Sequence, residues 1–208
     1  MSYVAVEGCI GSGKTSLAKA IAVMQGWRLL EEPVEGNDLL PAFYADPKRW
    51  AFTLQVALLH SRYRAQQVAA HDQQVCVLDR SLAGDFCFGR LHERSGNMHP
   101  LEWKTYQACY EAMNAVRPPF VMLFLSVDPV VALARVKKRA RGMEVGVSLQ
   151  YLTDLCEEYE RLLTDIESGQ HHWSRGIRVK RLDWNDDRDP VAAAKELAPM
   201  LRREMVQR

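Results

Sequence analysis

Residues 8–15 read Gly-Cys-Ile-Gly-Ser-Gly-Lys-Thr and lie between a short apolar stretch, residues 3–6, and a segment typical of a helix, residues 16–22. Glycine permits backbone angles and close approaches that a Cβ atom would block. The N–H groups of such a loop, with the start of the following helix, surround phosphate groups. Lys14 can reach the β- and γ-phosphates, and the Thr15 hydroxyl can bind Mg²⁺. The stretch therefore predicts a site for ATP or GTP, and its strand–loop–helix context makes a chance glycine-rich turn a poor alternative.

The predicted nucleotide site covers the loop and the start of the helix. Cys9 lies inside the loop, where its backbone N–H is the group that counts, with an oxidation-sensitive thiol as the alternative. We expect the phosphates and their Mg²⁺ to be bound by Gly8, Gly11, Ser12, Gly13, Lys14, Thr15 and Ser16.

Length and composition are those of an ordinary globular chain. The 208 residues are 48% hydrophobic and 25% charged, and we expect a single domain over residues 1–208. The formal net charge of +1 gives no electrostatic case for binding nucleic acid or an anionic membrane. The most apolar stretch, residues 120–127, is far shorter than a membrane span. Five cysteines without a Cys-x-x-Cys pair, and an N-terminus that leads directly into the first strand, favour a reducing cytoplasm.

Strand and helix patterns alternate along the chain, which predicts a parallel sheet covered by helices, the three-layer α/β sandwich of P-loop NTPases. Three Asp-Pro pairs each place an acceptor side chain before a proline at the first helical position, a helix-start signal. An apolar stripe follows Ser148 and predicts a core-facing or dimer-facing helix, with a coiled-coil seam as the alternative. The five predicted strands are residues 3–6, 27–31, 75–78, 120–127 and 177–182, and the Asp-Pro helices are residues 47–70, 129–138 and 190–205.

Five of the seven side chains between residues 135 and 141 are basic, and residues 142–146 after them begin and end with glycine. Such a run is usually a solvated helix face or a nucleic-acid patch. In a phosphate-loop domain, a cationic segment that closes over a triphosphate fits the electrostatics of phosphoryl transfer better. We therefore predict a short basic lid over about residues 135–147, with Arg135 on the nucleotide phosphates.

Several short motifs follow one another in a fixed order: residues 6–15, Glu32-Pro33-Val34, residues 43–52 with Gln55, Asp79-Arg80-Ser81, Arg139-Ala140-Arg141 and residues 148–152. Glu-Pro or Asp-Arg-Ser alone would be a weak signal, but the order of the motifs and the internal spacing of the block from Tyr44 to Gln55 are specific. In these motifs the chain resembles the deoxynucleoside kinases, the family of deoxycytidine, deoxyguanosine and bacterial deoxyadenosine kinases. The resemblance implies Mg²⁺-dependent transfer of a phosphoryl group from ATP to the 5′-hydroxyl of a deoxynucleoside, carried out by a homodimer.

The resemblance also implies catalytic roles at the ends of the second and third strands. Glu32 matches the carboxylate that accepts the proton of the 5′-hydroxyl, with Glu35 as the fallback, and Asp79 matches the residue that binds Mg²⁺ directly or through water. Arg80 matches an arginine that contacts the 5′-oxygen, and pairing with Glu32 would keep that carboxylate ionised. Residues 182–187 resemble the loop that holds the adenine of ATP. The cations implied for the transferred phosphoryl group are Lys14, Arg139 and Arg141.

Contacts to the sugar and the base are implied in the same way. Tyr44 and Glu144 match residues that hold the 3′-hydroxyl, and Gln55 matches a glutamine whose amide pairs with the base edge. Arg62 and Asp85 match an Arg–Asp pair of the purine- and cytidine-accepting relatives, where thymidine-preferring members have apolar residues. We therefore expect deoxyadenosine, deoxyguanosine or deoxycytidine, in that order, and poor use of thymidine. A structural salt bridge without selectivity is the alternative.

Three other functions compete with this interpretation. A nucleoside monophosphate kinase would need a second set of phosphate-binding arginines at the acceptor site, whereas residues 44–62 resemble a nucleoside site. A catalytically silent nucleotide-binding subunit would be supported by loss of Lys14, Glu32 or the Asp79–Arg80 pair, all of which are present. A kinase acting on a base within DNA lacks a global basic signature.

Overall fold

The computed structural model describes residues 3–32, 37–114, 117–139, 146–170 and 177–206. Its strands are β1 (Tyr3–Gly8), β2 (Arg28–Leu30), β3 (Cys76–Asp79), β4 (Val121–Ser126) and β5 (Arg178–Asp183). All pair in parallel, in the order β2-β3-β1-β4-β5. The described helices are α1 (Lys14–Gln25), α2 (Leu39–Ala45), α3 (Pro47–His71), α4 (Leu82–Arg94), α5 (Pro100–Met113), α6 (Pro129–Arg139), α7 (Leu149–Glu167) and α8 (Pro190–Val206). The predicted fold, a five-stranded parallel sheet flanked by helices, is confirmed.

The Asp-Pro signals give the correct starts of α3, α6 and α8, and each of these helices ends one residue later than predicted. The mechanism is the expected one, because each aspartate accepts a hydrogen bond from a backbone N–H of the first helical turn. Asp46 accepts from Arg49 at 3.2 Å. Asp128 and Asp189 accept from the residues two positions later, at 2.8 and 3.0 Å.

Three helices, α2, α4 and α5, have no Asp-Pro start and are not predicted from the sequence. The start of α5 uses a different pair, His99-Pro100, with the His99 ring accepting from the backbone N–H of Leu101 at 3.2 Å. Ser81 precedes α4 but its hydroxyl does not cap that helix, because it donates instead to Glu7 at 2.8 Å. The hydrogen bond from Ser81 to Glu7 therefore connects the start of α4 to the end of β1.

The core lies on the sheet and under α7. Every residue of β1 is buried, as are five of the six residues of β4, which agrees with the apolar runs expected of central parallel strands. The stripe of α7 faces inward, where the helix packs against α4 and α6; Leu149 at its start is the exposed member. Within the described part of the chain, none of the helices has the length and apolarity to cross a membrane.

β1 determines where the site lies, because β3 pairs on one side of it and β4 on the other. The chain therefore leaves β1 at the point where the strand order reverses direction, and in open parallel sheets ligands bind beside the carboxyl ends of the strands at that point. The phosphate loop, residues 8–15, begins at this end of β1.

Candidate active site

A cavity of about 470 Å³ opens beside the carboxyl ends of β1, β2 and β3. The phosphate loop and residues from α1, α2, α3, α4, α6 and α7 complete its walls. Asp85 lies fully buried behind Arg62 rather than in the lining. Of the predicted residues, Glu35, Arg141 and Glu144 lie outside the described part of the chain. The predicted site residues that line this cavity are Gly11, Lys14, Thr15, Glu32, Tyr44, Gln55, Arg62, Asp79, Arg80 and Arg139.

The phosphate loop has the backbone that its glycines were expected to provide. Gly11 and Gly13 adopt φ values of 80° and 89°, which L side chains rarely reach. A Cβ at Gly11 would lie 2.5 Å from the carbonyl oxygen of Ala132, so the loop can approach α6 only with glycine there. The Lys14 side chain bends back over the loop, and its ammonium group donates to the carbonyl oxygen of Cys9 at 2.8 Å. Burial, followed by repulsion from Arg80, lowers the pKa of Lys14 to about 8.

Thr15 and Asp79 meet at the end of β3. The Thr15 hydroxyl donates to Asp79 Oδ2 at 2.5 Å, while the buried Asp79 Oδ1 has no hydrogen-bond partner. A hydroxyl and a carboxylate with a spare oxygen are the donors that Mg²⁺ takes from a protein when phosphates and water supply the rest. No group of three or more His, Cys, Asp or Glu side chains suited to a metal occurs among the described residues. The residues present fit the ion.

Glu32 lies between two arginines. Arg80 Nε donates to Glu32 Oε2 at 3.1 Å, and Arg62 Nη2 donates to Oε1. Burial raises the pKa of Glu32, but the charges of Arg62 and Arg80 outweigh burial and bring it down to about 2. Glu32 is therefore ionised at neutral pH, as its predicted pairing with Arg80 requires.

Arg80 is held in an uncommon conformation by several partners. It is the non-glycine residue in the described chain with a positive φ, 76°, and such strain persists only where the surroundings impose it. Its Nη1 donates to the Tyr159 hydroxyl at 2.5 Å, and its guanidinium lies 4.7 Å from the ring centroid of Phe88. The Tyr159 hydroxyl donates in turn to Glu7 at 3.1 Å.

Glu7 is a supporting residue that the sequence analysis missed. Its carboxylate is fully buried and also accepts from the backbone N–H of Ser81 at 2.6 Å. Glu7 thus fixes the Arg80–Ser81 turn in two ways. It binds Ser81 directly, and it binds Arg80 through the Tyr159 hydroxyl. A carboxylate inside an otherwise apolar central strand was the available signal, since such a charge needs buried partners.

Arg62 extends the charged network away from the phosphate loop. Its other guanidinium nitrogen forms an ion pair with Asp85, whose second oxygen accepts from the Tyr106 hydroxyl at 2.5 Å. The predicted Arg–Asp pair is therefore present. Gln55 precedes Arg62 on α3 by seven residues, about two helical turns, and also lines the cavity. Its buried Oε1 has no hydrogen-bond partner. The Gln55 carboxamide and the Arg62 guanidinium thus both line the cavity from α3, with Asp85 behind Arg62.

Arg135 and Arg139 have different surroundings. Arg135 is absent from the cavity lining, and its guanidinium donates to the carbonyl oxygens of Trp184, Asn185 and Asp186 at 2.8, 3.1 and 2.9 Å. It therefore secures the loop after β5, whose Trp184 ring lies against the phosphate loop at Gly13. Arg139 lines the cavity.

His92 was not predicted as a site residue, although it lines the cavity with both ring nitrogens unpartnered. The one available signal is a spacing that becomes informative only once α4 is known to be a helix. His92 lies seven residues after Asp85, a spacing that puts both on one face of a helix.

The sheet order, the phosphate loop and an acceptor cavity beside it define a phosphate-loop kinase. The sequence model of a family described as deoxynucleoside kinase matches residues 4–196. A deoxyadenosine kinase of Dictyostelium discoideum is 35% identical over 204 residues, 98% of this chain and 79% of that protein. A deoxyadenosine/deoxycytidine kinase of Bacillus subtilis (strain 168) is 33% identical over 172 residues, 80% of this chain and 79% of that protein.

Solved structures agree on the fold. A deoxyadenosine kinase from M. mycoides with bound dATP superposes with a TM-score of 0.82 at 23% identity, over 97% of this chain and 100% of that one. The chain belongs to the deoxynucleoside kinase family. It is an enzyme that phosphorylates deoxynucleosides.

Proposed function

We propose that the protein transfers the γ-phosphoryl group of ATP to the 5′-hydroxyl of deoxyadenosine, deoxyguanosine or deoxycytidine in preference to thymidine, a reaction of nucleotide salvage. One observation carries the proposal. A single cavity joins the phosphate loop to Glu32, and Glu32 is joined through Arg62 to Asp85. Donor and acceptor sites thus meet at an ionised carboxylate. The relatives named for deoxyadenosine and deoxycytidine support the same substrates.

The donor end would hold Mg-ATP through the phosphate loop. Lys14 faces the phosphates, and Thr15 with Asp79 would hold Mg²⁺, which neutralises charge on the phosphate oxygens when bound. Arg80 and Arg139 also line the cavity, and they are proposed as the cations that stabilise charge on the group in transfer. Arg141 is proposed for that role from the resemblance alone. Arg135 is proposed to act on the nucleotide indirectly, because it holds the loop after β5 against the phosphate loop.

Glu32 is the proposed general base. The 5′-oxygen attacks the γ-phosphorus, the bond from that phosphorus to the β–γ bridging oxygen breaks, and ADP leaves. The proton of the 5′-hydroxyl passes to Glu32. A carboxylate with a pKa near 2 is a weak base, but phosphoryl transfer goes through a loose transition state in which the attacking oxygen loses its proton late. Arg80 keeps Glu32 ionised and aims it at the acceptor.

The acceptor end suits a nucleoside. Gln55 offers an amide to the base edge, and Arg62, which pairs with the buried Asp85 behind it, adds a charged donor that a purine can use and a thymine methyl group cannot. Tyr44 lines the cavity beside these residues and is proposed, with Glu144, for the 3′-hydroxyl. A monophosphate acceptor is disfavoured, because the arginines nearest Glu32 are already paired with carboxylates.

We further propose a homodimer of single-domain chains that works in the cytoplasm and binds neither nucleic acid nor membranes. The homodimer is proposed from the resemblance described in the sequence analysis, and the near-zero net charge supports the lack of a polyanionic partner.

The base is tested with Glu32→Gln against a matched control, Glu31→Gln. Glu31 lines the mouth of the same cavity, but it is half exposed and pairs with Lys19 at 2.9 Å. Glu32→Gln should lower kcat by about 10²- to 10⁴-fold, because a general base contributes that much. Glu31→Gln should stay within about threefold of the parent.

The readouts are product formation by chromatography with Mg-ATP and deoxyadenosine, and ATP affinity by calorimetry. ATP affinity should be unchanged in both variants, since neither carboxylate contacts the phosphate loop. If Glu32→Gln turned over at the parental rate, the base would move to Glu35 or be absent.

A further inference from the structure

α4 contributes a histidine to the wall of the cavity. His92 lies on the same face of α4 as Phe88, one helical turn before it, and as Asp85, two turns before it. Only 1% of His92 is exposed, yet neither ring nitrogen has a hydrogen-bond partner. Burying polar atoms without partners costs free energy, which a bound ligand can return by pairing with them.

The surroundings of His92 are aromatic and uncharged. The Phe43 ring lies nearly edge-on to the imidazole at 4.9 Å between centroids, and the Tyr151 ring lies at 6.2 Å. Burial accordingly lowers the pKa of His92 to about 4, so the ring is neutral at physiological pH. A neutral imidazole offers one donor and one acceptor, the same pair that a hydroxyl group offers.

The unpartnered polar atoms of the cavity wall fall into three places. Asp79 lies with Thr15 at the phosphate loop, where it suits a metal ion. Gln55 Oε1 and Arg62 Nε lie on α3, where they suit the edge of a base. His92 lies elsewhere, against Phe43, whose ring in turn contacts Tyr44 at 5.2 Å. The part of a nucleoside left for His92 is the sugar, for which Tyr44 is proposed above.

We infer that His92 binds the 3′-hydroxyl of the deoxyribose together with Tyr44 and so determines which sugars the enzyme accepts. The inference rests on the proposed function. His92 is a substrate-positioning residue, because the proposed chemistry takes place at Glu32 and Lys14, with which His92 forms no hydrogen bond.

The test compares deoxyadenosine with 2′,3′-dideoxyadenosine in the parent and in His92→Leu, which fills a similar volume without polar atoms. For deoxyadenosine, kcat/KM should fall by roughly threefold to tenfold, mainly through KM, because one neutral hydrogen bond is lost. For the dideoxynucleoside, which cannot form that bond, kcat/KM should change less than twofold. KM for ATP should not change. His92→Gln, which keeps a donor and an acceptor, should regain part of the discrimination.

An equal loss for both nucleosides would overturn the inference, since it would show that His92 acts through packing or through the base. Should His92→Leu not fold, His92→Met takes its place with the same readouts, because its unbranched side chain adapts to the site. Failure of the proposed function looks different. In that case the parent protein phosphorylates neither nucleoside.

Discussion

The buried pair of Arg62 and Asp85 gives a stability prediction whose sign depends on the partner. Asp85 is fully buried and Arg62 is 5% exposed, while Glu32 provides Arg62 with a second carboxylate. Arg62→Met would leave the buried Asp85 without its charged partner in the core, which costs about 4 kcal/mol. Asp85→Asn alone should cost only about 2 kcal/mol, because Arg62 keeps Glu32.

In the Arg62→Met background the same Asp85→Asn change should reverse its effect. The asparagine removes the unpaired buried charge and still accepts a hydrogen bond from Tyr106. It should therefore raise the free energy of unfolding by about 2 kcal/mol relative to the Arg62→Met protein. The assay is urea unfolding of the four proteins followed by tryptophan fluorescence, arranged as a double-mutant cycle. The exposed pair Arg181–Glu167, with both bonds at 3.0 Å, is the control and should couple by less than about 1 kcal/mol.

The preference for deoxyadenosine over thymidine should depend on the charge of Arg62. Arg62→Met should reduce the preference for deoxyadenosine over thymidine, measured as a ratio of kcat/KM values, by about tenfold to a hundredfold. The reasoning is refuted if Asp85→Asn destabilises the Arg62→Met protein as much as it destabilises the parent. An unchanged substrate ratio would leave the pair as a structural salt bridge alone.

Two further predictions concern the phosphate end. Lys14 has a pKa of about 8 in the free enzyme, so its charge is present below that pH and lost above it. The value of kcat/KM for ATP should therefore fall between pH 8 and 9.5 while kcat changes less, because bound phosphates hold the proton on Lys14; a flat profile would contradict the lowered pKa. Gly84→Ala would place a Cβ 2.3 Å from Glu7 Oε2 and should lower stability by about 1–3 kcal/mol and slow turnover through Arg80. Gly146→Ala is the control in thermal melting, because among the described residues its Cβ would meet the Tyr44 ring at 3.9 Å, and equal melting temperatures would count against a tight Glu7 site.

The fold was predictable because its signals are local. The apolar runs of β1 and β4 read as buried parallel strands, and an aspartate before a proline starts a helix wherever it occurs. The phosphate loop is likewise contiguous, so its residue types and spacing carry its function. Boundaries moved by one or two residues, as at β2, which is shorter than the predicted stretch of residues 27–31.

The support of the site could not be predicted in the same way. Glu7 and Tyr159 are hydrogen-bonded although they lie 152 positions apart in the sequence. The sequence pattern predicts Tyr159 only as one more member of an apolar helix stripe. Its hydroxyl nevertheless fixes Arg80, a role that periodicity cannot show. His92 belongs to α4, a helix that the sequence signals missed, so its face was unknown. Contacts of this kind depend on the assembled sheet.

The most direct test of the central claim is a competition between acceptors. The protein is incubated with Mg-ATP and an equimolar mixture of the four deoxynucleosides and their four monophosphates, and the products are resolved by chromatography. Deoxynucleoside monophosphates formed from deoxyadenosine, deoxyguanosine or deoxycytidine, with little from thymidine and no diphosphates, are the predicted result. Diphosphates as the main product would contradict the nucleoside site built around Glu32, Gln55 and Arg62.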